Sequence, residues 1–437
     1  MAHLVCTNSE DHALYQKLCD RDMLRLGWFK VKDSEKKSHG SDDVTIAMFK
    51  NTLEEELSKL SKELDCKSYR CKPLRRVRII KPDGGERPIG IACIRDRVIQ
   101  AACLTLLEPI FEPTFSRYSF AFRPRRSAHQ ALALAKSLIA EDRKWAVIAD
   151  IKGCFDNINH DLLLDLVSTQ VKDPAVINLI KHWLTADVLD FRDILPILVG
   201  VPQGESLSPL LANIYLTPLD RHFEELGLSF VRYADDSAIF TKSEDEAKKA
   251  LCDMEQFLFD KLKLQLKPSK TNYVLIDDGF DFLGFTITQE NLAIRHQKIE
   301  SIKQVLVKNI KNLGEAGSTL QQNMTSMTRI NAIIRGIRNY FSMPDEKRIA
   351  GQMRSLDEYV EQAANFYLPV KLRDDPVWIS YSWLFDTIVF LQIFHTCFGR
   401  RRLIGIEYNI FFIGSAIFFH KHSSLLNLNY TTASVDS

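Results

Sequence analysis

The stretch Phe230-Val231-Arg232-Tyr233-Ala234-Asp235-Asp236-Ser237-Ala238-Ile239-Phe240 decides how this 437-residue chain is read. Two adjacent carboxylates stand between two short apolar, β-prone runs, a pattern that predicts a strand, a tight turn and a second strand. The turn lifts Asp235 and Asp236 to a hairpin tip, where a divalent metal can be gripped. Three other Asp-Asp pairs occur, Asp42-Asp43, Asp277-Asp278 and Asp374-Asp375, and most such pairs are solvated turns. Tyr233-Ala234-Asp235-Asp236 differs from them in its apolar flanks and in a third acid upstream.

That acid is Asp150, which ends the run Trp145-Ala146-Val147-Ile148-Ala149, a buried-strand pattern. A strand that ends in Asp before a turn puts a carboxylate at a sheet edge. Three acids from two neighbouring strands can hold two Mg²⁺ ions, with substrate phosphates and water completing the shells. Two such ions stabilise the attacking and leaving oxygens of an in-line phosphoryl displacement, the chemistry of nucleotide addition. Between these elements runs Gly200-Val201-Pro202-Gln203-Gly204-Glu205-Ser206-Leu207-Ser208-Pro209. A glycine-rich turn lets backbone approach a nucleotide, and Ser206 or Ser208 is placed to cap the following helix, with Pro209 in its first turn.

Asp150 to Asn157, Gln203 to Pro209 and Tyr233 to Asp236 resemble, in order and spacing, three consecutive palm motifs of reverse transcriptases. The chain is similar to the bacterial branch related to group II intron-encoded proteins, and most like its free-standing, defence-associated members. Ile80 to Ile91 resembles that branch's fingers hairpin. Arg95 to Ala102 and Ser119 to His129 resemble its next blocks, Leu264 to Thr271 and Phe280 to Phe285 its last palm motifs, and Ile333 to Phe341 a thumb signature. Gln203 separates the chain from diversity-generating retroelements, and the Val-Thr-Gly of retron enzymes does not occur.

The resemblance implies an α+β right-hand polymerase fold with fingers, a palm built on an antiparallel sheet, a helical thumb and an extra apolar C-terminal subdomain. The expected boundaries are an N-terminal helical extension over 1–66, fingers over 67–145 with part of 166–204, palm over 146–290, thumb over 291–370 and the last subdomain over 371–437. Asp150, Asp235 and Asp236 are the implied catalytic metal ligands, with the Ile151 backbone carbonyl as a further one. The cofactor is two Mg²⁺ ions, for which Mn²⁺ can substitute. Phe155 is placed beneath the incoming sugar, where a ring collides with a 2′-hydroxyl; a core aromatic is the alternative, and both can hold. Gln203 and Gly204 contact the nucleotide. Lys81 and Arg87 flank a Pro-Asp-Gly-Gly turn, where they clamp a triphosphate or form a solvated charged turn. Lys270 protonates the leaving pyrophosphate or is an exposed lysine.

Composition fits a globular protein, with 46% hydrophobic and 26% charged residues. The net charge of +1 taken alone argues against nucleic acid, but between Lys67 and Arg126 there are 14 Lys/Arg against 5 Asp/Glu. A basic lobe beside an acidic metal site suits a template–primer duplex, and a solvated basic face is the plainer alternative. Nine cysteines without a Cys-x-x-Cys predict reduced thiols in the cytoplasm; the resemblance implies a bacterial protein, and the lack of paired cysteines one without the zinc-supported endonuclease of intron-encoded relatives. Helical spacing is expected over 44–64, helices over 95–111 and 127–140, a hairpin over 74–80 and 87–91, and 296–345, which loses its strand signals, suits a helical thumb. Residues 376–420 are rich in Trp and Phe, yet interrupted by charge short of the ~20 residues of a membrane span; they suit a packed subdomain, or an oligomer or RNA interface. The expected activity is RNA-directed DNA synthesis on a cognate structured non-coding RNA, from deoxynucleotides to a DNA product, in defence against phage. A group II intron maturase lacking its endonuclease, or an RNA-binding scaffold with little catalysis, are the other readings.

Overall fold

The computed structural model describes residues 13–34, 38–80, 85–191, 193–313, 320–343, 346–367, 408–413 and 416–421. These fall into two compact units, one running to Lys298 and one from Ile299.

The first unit opens with helices Ala13–Cys19, Arg21–Asp33, Ile46–Asn51 and Leu53–Asp65. The helical spacing read over 44–64 is thus split at Thr52, whose φ of −115° and ψ of 24° leave the helical region. Thr45 starts the first piece by accepting the Met48 N–H. Strands β1 (Leu74–Ile80) and β2 (Glu86–Ile91) form the expected hairpin, followed by the expected helix Ile94–Phe111. Helix Ala128–Ile139 begins with a capping box of Ser127 and Gln130.

Strand β3 (Trp145–Asp150) is paired on both sides in a second sheet. Short strands β4 (Val188–Asp190) and β5 (Asp193–Leu195) extend the first hairpin into the order β2-β1-β4-β5. Helix Ser208–Glu225 then leads into β6 (Ser229–Tyr233) and β7 (Asp236–Thr241), and helix Glu244–Leu262 leads to β8 (Asn272–Leu275). The sheet around β3 has the order β6-β7-β3-β8, and all its neighbours are antiparallel. It packs on helices whose apolar faces supply Tyr215, Leu219, Phe223, Met254 and Leu258, all fully buried with Val147, Phe230 and Ile239. Strands β9 (Phe280–Phe282), β10 (Phe285–Ile287) and β11 (Leu292–Ile294) make a small antiparallel sheet.

In the second unit, helices His296–Leu313, Leu320–Phe341 and Lys347–Tyr367 carry apolar stripes at helical spacing. Ile302, Leu306 and Ile310, then Ile330 and Ile334, then Ile349, Met353, Leu356 and Val360 are buried. Lys303 lies over the Tyr359 ring and Lys311 over Tyr367, tying the first helix to the third. Of the aromatic tail, the described part is the antiparallel hairpin of β12 (Tyr408–Ile413) and β13 (Ala416–Lys421); the rest of 371–437 lies outside the described residues. No described helix is long and apolar enough to cross a membrane.

Candidate active site

Strands β6 and β7 are joined by the two-residue loop Ala234-Asp235, closed by the pair Tyr233 and Asp236. Ala234 has a φ of 59°, the left-handed region that a hairpin loop normally fills with glycine. Holding a non-glycine residue there costs of order 1–3 kcal/mol. Register then brings the acids together. Asp150, the last residue of β3, stands directly opposite Asp236, the first of β7, and Asp235 occupies the adjoining tip. Burial, followed by the charges of Asp235 and Asp150, pushes the Asp236 carboxyl from 3.8 up to about 6. The crowding of three negative groups calls for a cation, and Lys270 partly answers it: its Nζ lies 2.7 Å from Asp150 Oδ2, a hydrogen bond that raises the lysine's own pKa.

Among the described residues, no three acidic, His or Cys side chains converge closely enough to chelate an ion unaided. That suits Mg²⁺, which is commonly held by one or two carboxylates together with substrate phosphates rather than by an all-protein cage. The Ile151 carbonyl is compatible with such a shell. Ile151 bridges Leu266, but the bonds of that bridge are made by Asp150 and Lys152, from Lys267 N–H to Asp150 O and from Lys152 N–H to Gln265 O. The Ile151 carbonyl therefore points away from Leu266.

The loop over 200–208 is laced to the turn after β3. Gly200 N–H donates to Ile158 O and Val201 N–H to Phe155 O, while the Gln203 amide donates to Asp156 Oδ1 at 3.1 Å. Phe155 and Gln203, distant in sequence, are thus brought together. Phe155 is half-buried and packs against the core, so the core reading describes part of its ring. Gly204 is exposed with a φ of +106°, and a Cβ there would lie 2.8 Å from Ile89 Cγ2. The close backbone approach that demands glycine is made to β2, and Gly90 N–H also donates to Gln203 O. Neither Ser206 nor Ser208 caps the next helix, which begins without a side-chain cap. The Ser208 hydroxyl instead donates to Pro202 O at 2.7 Å, pinning the loop. Arg87 sits on β2 opposite Ile79; its side chain and the whole of Lys81 lie outside the described residues.

The basic count between Lys67 and Arg126 overstates free positive surface. Arg76 and Arg78 pair with Asp190, Lys72 with Asp42 and Arg95 with Glu63. Arg97 and Arg123 are buried, Arg123 against Glu112. Lys67, Arg70, Arg117 and Arg125 remain on the exposed face.

Two buried polar features next to the site escaped the sequence reading. Arg232 is wholly buried and donates to Asp220, Asn213 and the Ala234 carbonyl beneath the hairpin tip. Its signal was a charge inside an apolar strand. Glu205, next to Gly204, is 5% exposed and accepts the Ala92 N–H.

Residues 79–287 match the family described as reverse transcriptase (RNA-dependent DNA polymerase). Protein YkfC of Escherichia coli (strain K12) is 32% identical over 314 residues, covering 62% of this chain and 82% of YkfC. Group II intron-encoded protein LtrA of Lactococcus lactis subsp. cremoris is 42% identical over 180 residues, covering 41% of this chain and 30% of LtrA. An uncharacterized 91 kDa protein in the cob intron of Schizosaccharomyces pombe is 37% identical over 224 residues, covering 50% of this chain and 27% of its own. The chain therefore spans most of YkfC but less than a third of the two intron-associated proteins. Telomerase from Candida albicans aligns over 82% of this chain at 12% identity and a TM-score of 0.44, which supports no closer comparison.

Proposed function

The chain belongs to the reverse transcriptase family and is an RNA-directed DNA polymerase, and we propose that it extends DNA on a bound RNA through Asp150, Asp235 and Asp236. The observation that carries this is the placement of Asp150 opposite Asp236, with Asp235 on the adjoining tip. Two divalent ions, Mg²⁺ or Mn²⁺, supply charge neutralisation at the attacking and leaving oxygens when bound. The three carboxylates hold that charge, with the Ile151 carbonyl beside them. Phe155 disfavours a ribose 2′-hydroxyl. Gln203 and Gly204 bound the nucleotide, Lys81 and Arg87 grip its triphosphate, and Lys270 delivers a proton to the departing pyrophosphate. In the hand description, the β6-β7-β3-β8 sheet is the palm, the β2-β1-β4-β5 sheet belongs to the fingers and the three helices from 296 to 367 form the thumb.

Replacing Asp235 and Asp236 together with Asn should abolish primer extension on an RNA template while circular dichroism stays unchanged. Near-wild-type extension by that variant overturns the assignment.

For the setting, the reading carried by the sequence resemblance is synthesis on a cognate non-coding RNA in defence against phage. The intron-encoded relatives favour a second reading, in which the chain assists an intron. Expressing the native locus with Asp235-Asp236 intact or as Ala-Ala, and challenging with a phage panel, separates them. Protection only with the acids intact supports defence. Equal plating, with excision of a flanking intron that needs the protein, supports the second.

A further inference from the structure

Beneath the hairpin tip lies a buried polar assembly that takes no direct part in metal or nucleotide binding. Arg232 and Asp220 are both 0% exposed. Arg232 Nε donates to Asp220 Oδ1 and Nη2 to Oδ2, both at 2.6 Å, a bidentate fork. That pairing alone would neutralise the two charges. The third nitrogen goes further. Nη1 donates to Asn213 Oδ1 at 3.2 Å and to the Ala234 carbonyl at 2.9 Å. Asn213 is itself fixed by donating to Ala121 O at 2.9 Å. The Arg232 backbone is held as well, since its N–H donates to Tyr118 O and its carbonyl accepts the Phe120 N–H.

The arrangement therefore connects helix Ser208–Glu225, the 118–121 segment and the one peptide whose conformation places Asp235. Ala234 is in the left-handed region at φ 59°, which a residue with a Cβ does not keep without support. A lysine could not replace the arginine, because a single ammonium cannot form the fork and reach the tip carbonyl together.

We propose that Arg232 is a positioning residue for DNA synthesis: through the Ala234 carbonyl it holds the tip in its positive-φ form and so aims Asp235 and Asp236 at the divalent ions. The inference rests on the reading of those acids as metal ligands. It assigns Asp220 and Asn213 the task of orienting the guanidinium. Outer residues that orient metal ligands typically change metal affinity by about 10–100-fold when removed.

The test uses the full chain with an RNA template, a dideoxy-terminated primer and a stoichiometric matching deoxynucleotide, whose phosphates complete the metal shell. Mn²⁺ binding is followed by electron paramagnetic resonance, beside the half-saturating Mg²⁺ concentration for primer extension and a thermal melt. Arg232→Lys should weaken Mn²⁺ binding about tenfold or more and raise the half-saturating Mg²⁺ in step. Adding Ala234→Gly should restore much of the Mn²⁺ affinity, because glycine takes the positive φ unaided, while leaving the melting temperature low. Should Arg232→Lys fail to fold, Asn213→Ala keeps the Asp220 fork and should show a smaller loss in the same direction. Wild-type Mn²⁺ affinity in a folded Arg232→Lys, or in Asn213→Ala if the lysine variant does not fold, overturns the proposal. So does a Mn²⁺ loss that Ala234→Gly leaves untouched, which reduces Arg232 to a core ion pair. Asp236→Asn is the separate control. If it binds Mn²⁺ like wild type, the metal-site reading fails, whatever Arg232 does.

Discussion

Glu205→Gln tests whether the loop behind Gly204 is sealed from water. Glu205 is 5% exposed. Its Oε1 accepts the Ala92 N–H at 3.0 Å, but its Oε2 has no hydrogen-bond partner, and neither has the buried Oε1 of Gln100. Both residues, with Asp96, line a cavity of about 20 Å³, room for a single water. Burial pushes Glu205 from 4.5 up to about 7; the Gln100 amide, the Ala92 N–H and Arg97 offset this only in part, and Asp96 adds to it. A carboxyl raised in the folded state contributes stability that is complete below its unfolded value and disappears as pH rises through the folded one. At about 1.4 kcal/mol per pH unit, the ionised group weakens the fold by roughly 3 kcal/mol at pH 8.5. Glutamine keeps the acceptor for Ala92 and offers an N–H₂ towards Gln100 without titrating. The variant should therefore gain about 2–3 kcal/mol on wild type between pH 5 and pH 8.5, read as the difference of urea unfolding curves at the two values. An unchanged difference would refute the reasoning, since it would mean that Glu205 titrates as a solvated carboxylate.

Phe155→Val should raise ribonucleotide incorporation relative to deoxynucleotide in single-nucleotide extension; an unchanged ratio returns the ring to the core alone. Gly204→Ala should destabilise the fold by about 1–3 kcal/mol, from the φ of +106° and the 2.8 Å approach to Ile89; a change confined to nucleotide KM would place the glycine against the nucleotide instead. Lys270→Ala should leave unfolding nearly unchanged, because a half-exposed ion pair contributes little. It should lower single-turnover extension by about 10²-fold if the ammonium is a general acid, and a rate within twofold of wild type would leave it only as a partner of Asp150.

What was legible in the sequence was local. The runs 145–150 and 230–240 carry their strand signal in adjacent residues, and Ser127 with Gln130 announces its helix within four positions. What was hidden depends on partners far along the chain. Ser208 looked like a cap because the Pro202 carbonyl that takes its hydroxyl is fixed only once the loop closes. Arg76 and Arg78 counted as free charge because Asp190 lies more than 100 residues away. The break at Thr52 reflects packing of two short helices where spacing alone suggested one.

The five residues from Arg232 to Asp236 break three local rules at once. A charge is buried in a strand that pattern would fill with an apolar residue, an alanine occupies a glycine conformation, and burial, with neighbouring carboxylates adding to it, pushes one acid to about 6. Any one of these would lower stability without recompense in a purely structural hairpin. Together they are coupled: the buried guanidinium donates to the alanine carbonyl, and the alanine conformation sets the acids at the tip. On the proposed reading, a cation bound between Asp150 and Asp236 would relieve the last violation, and the fixed turn would hold the carboxylates ready for it. Violations that support one another at one point of an otherwise consistent fold are what a working site requires. Packing and electrostatics thus single out the tip that carries Asp235 and Asp236, the acids of the proposed site.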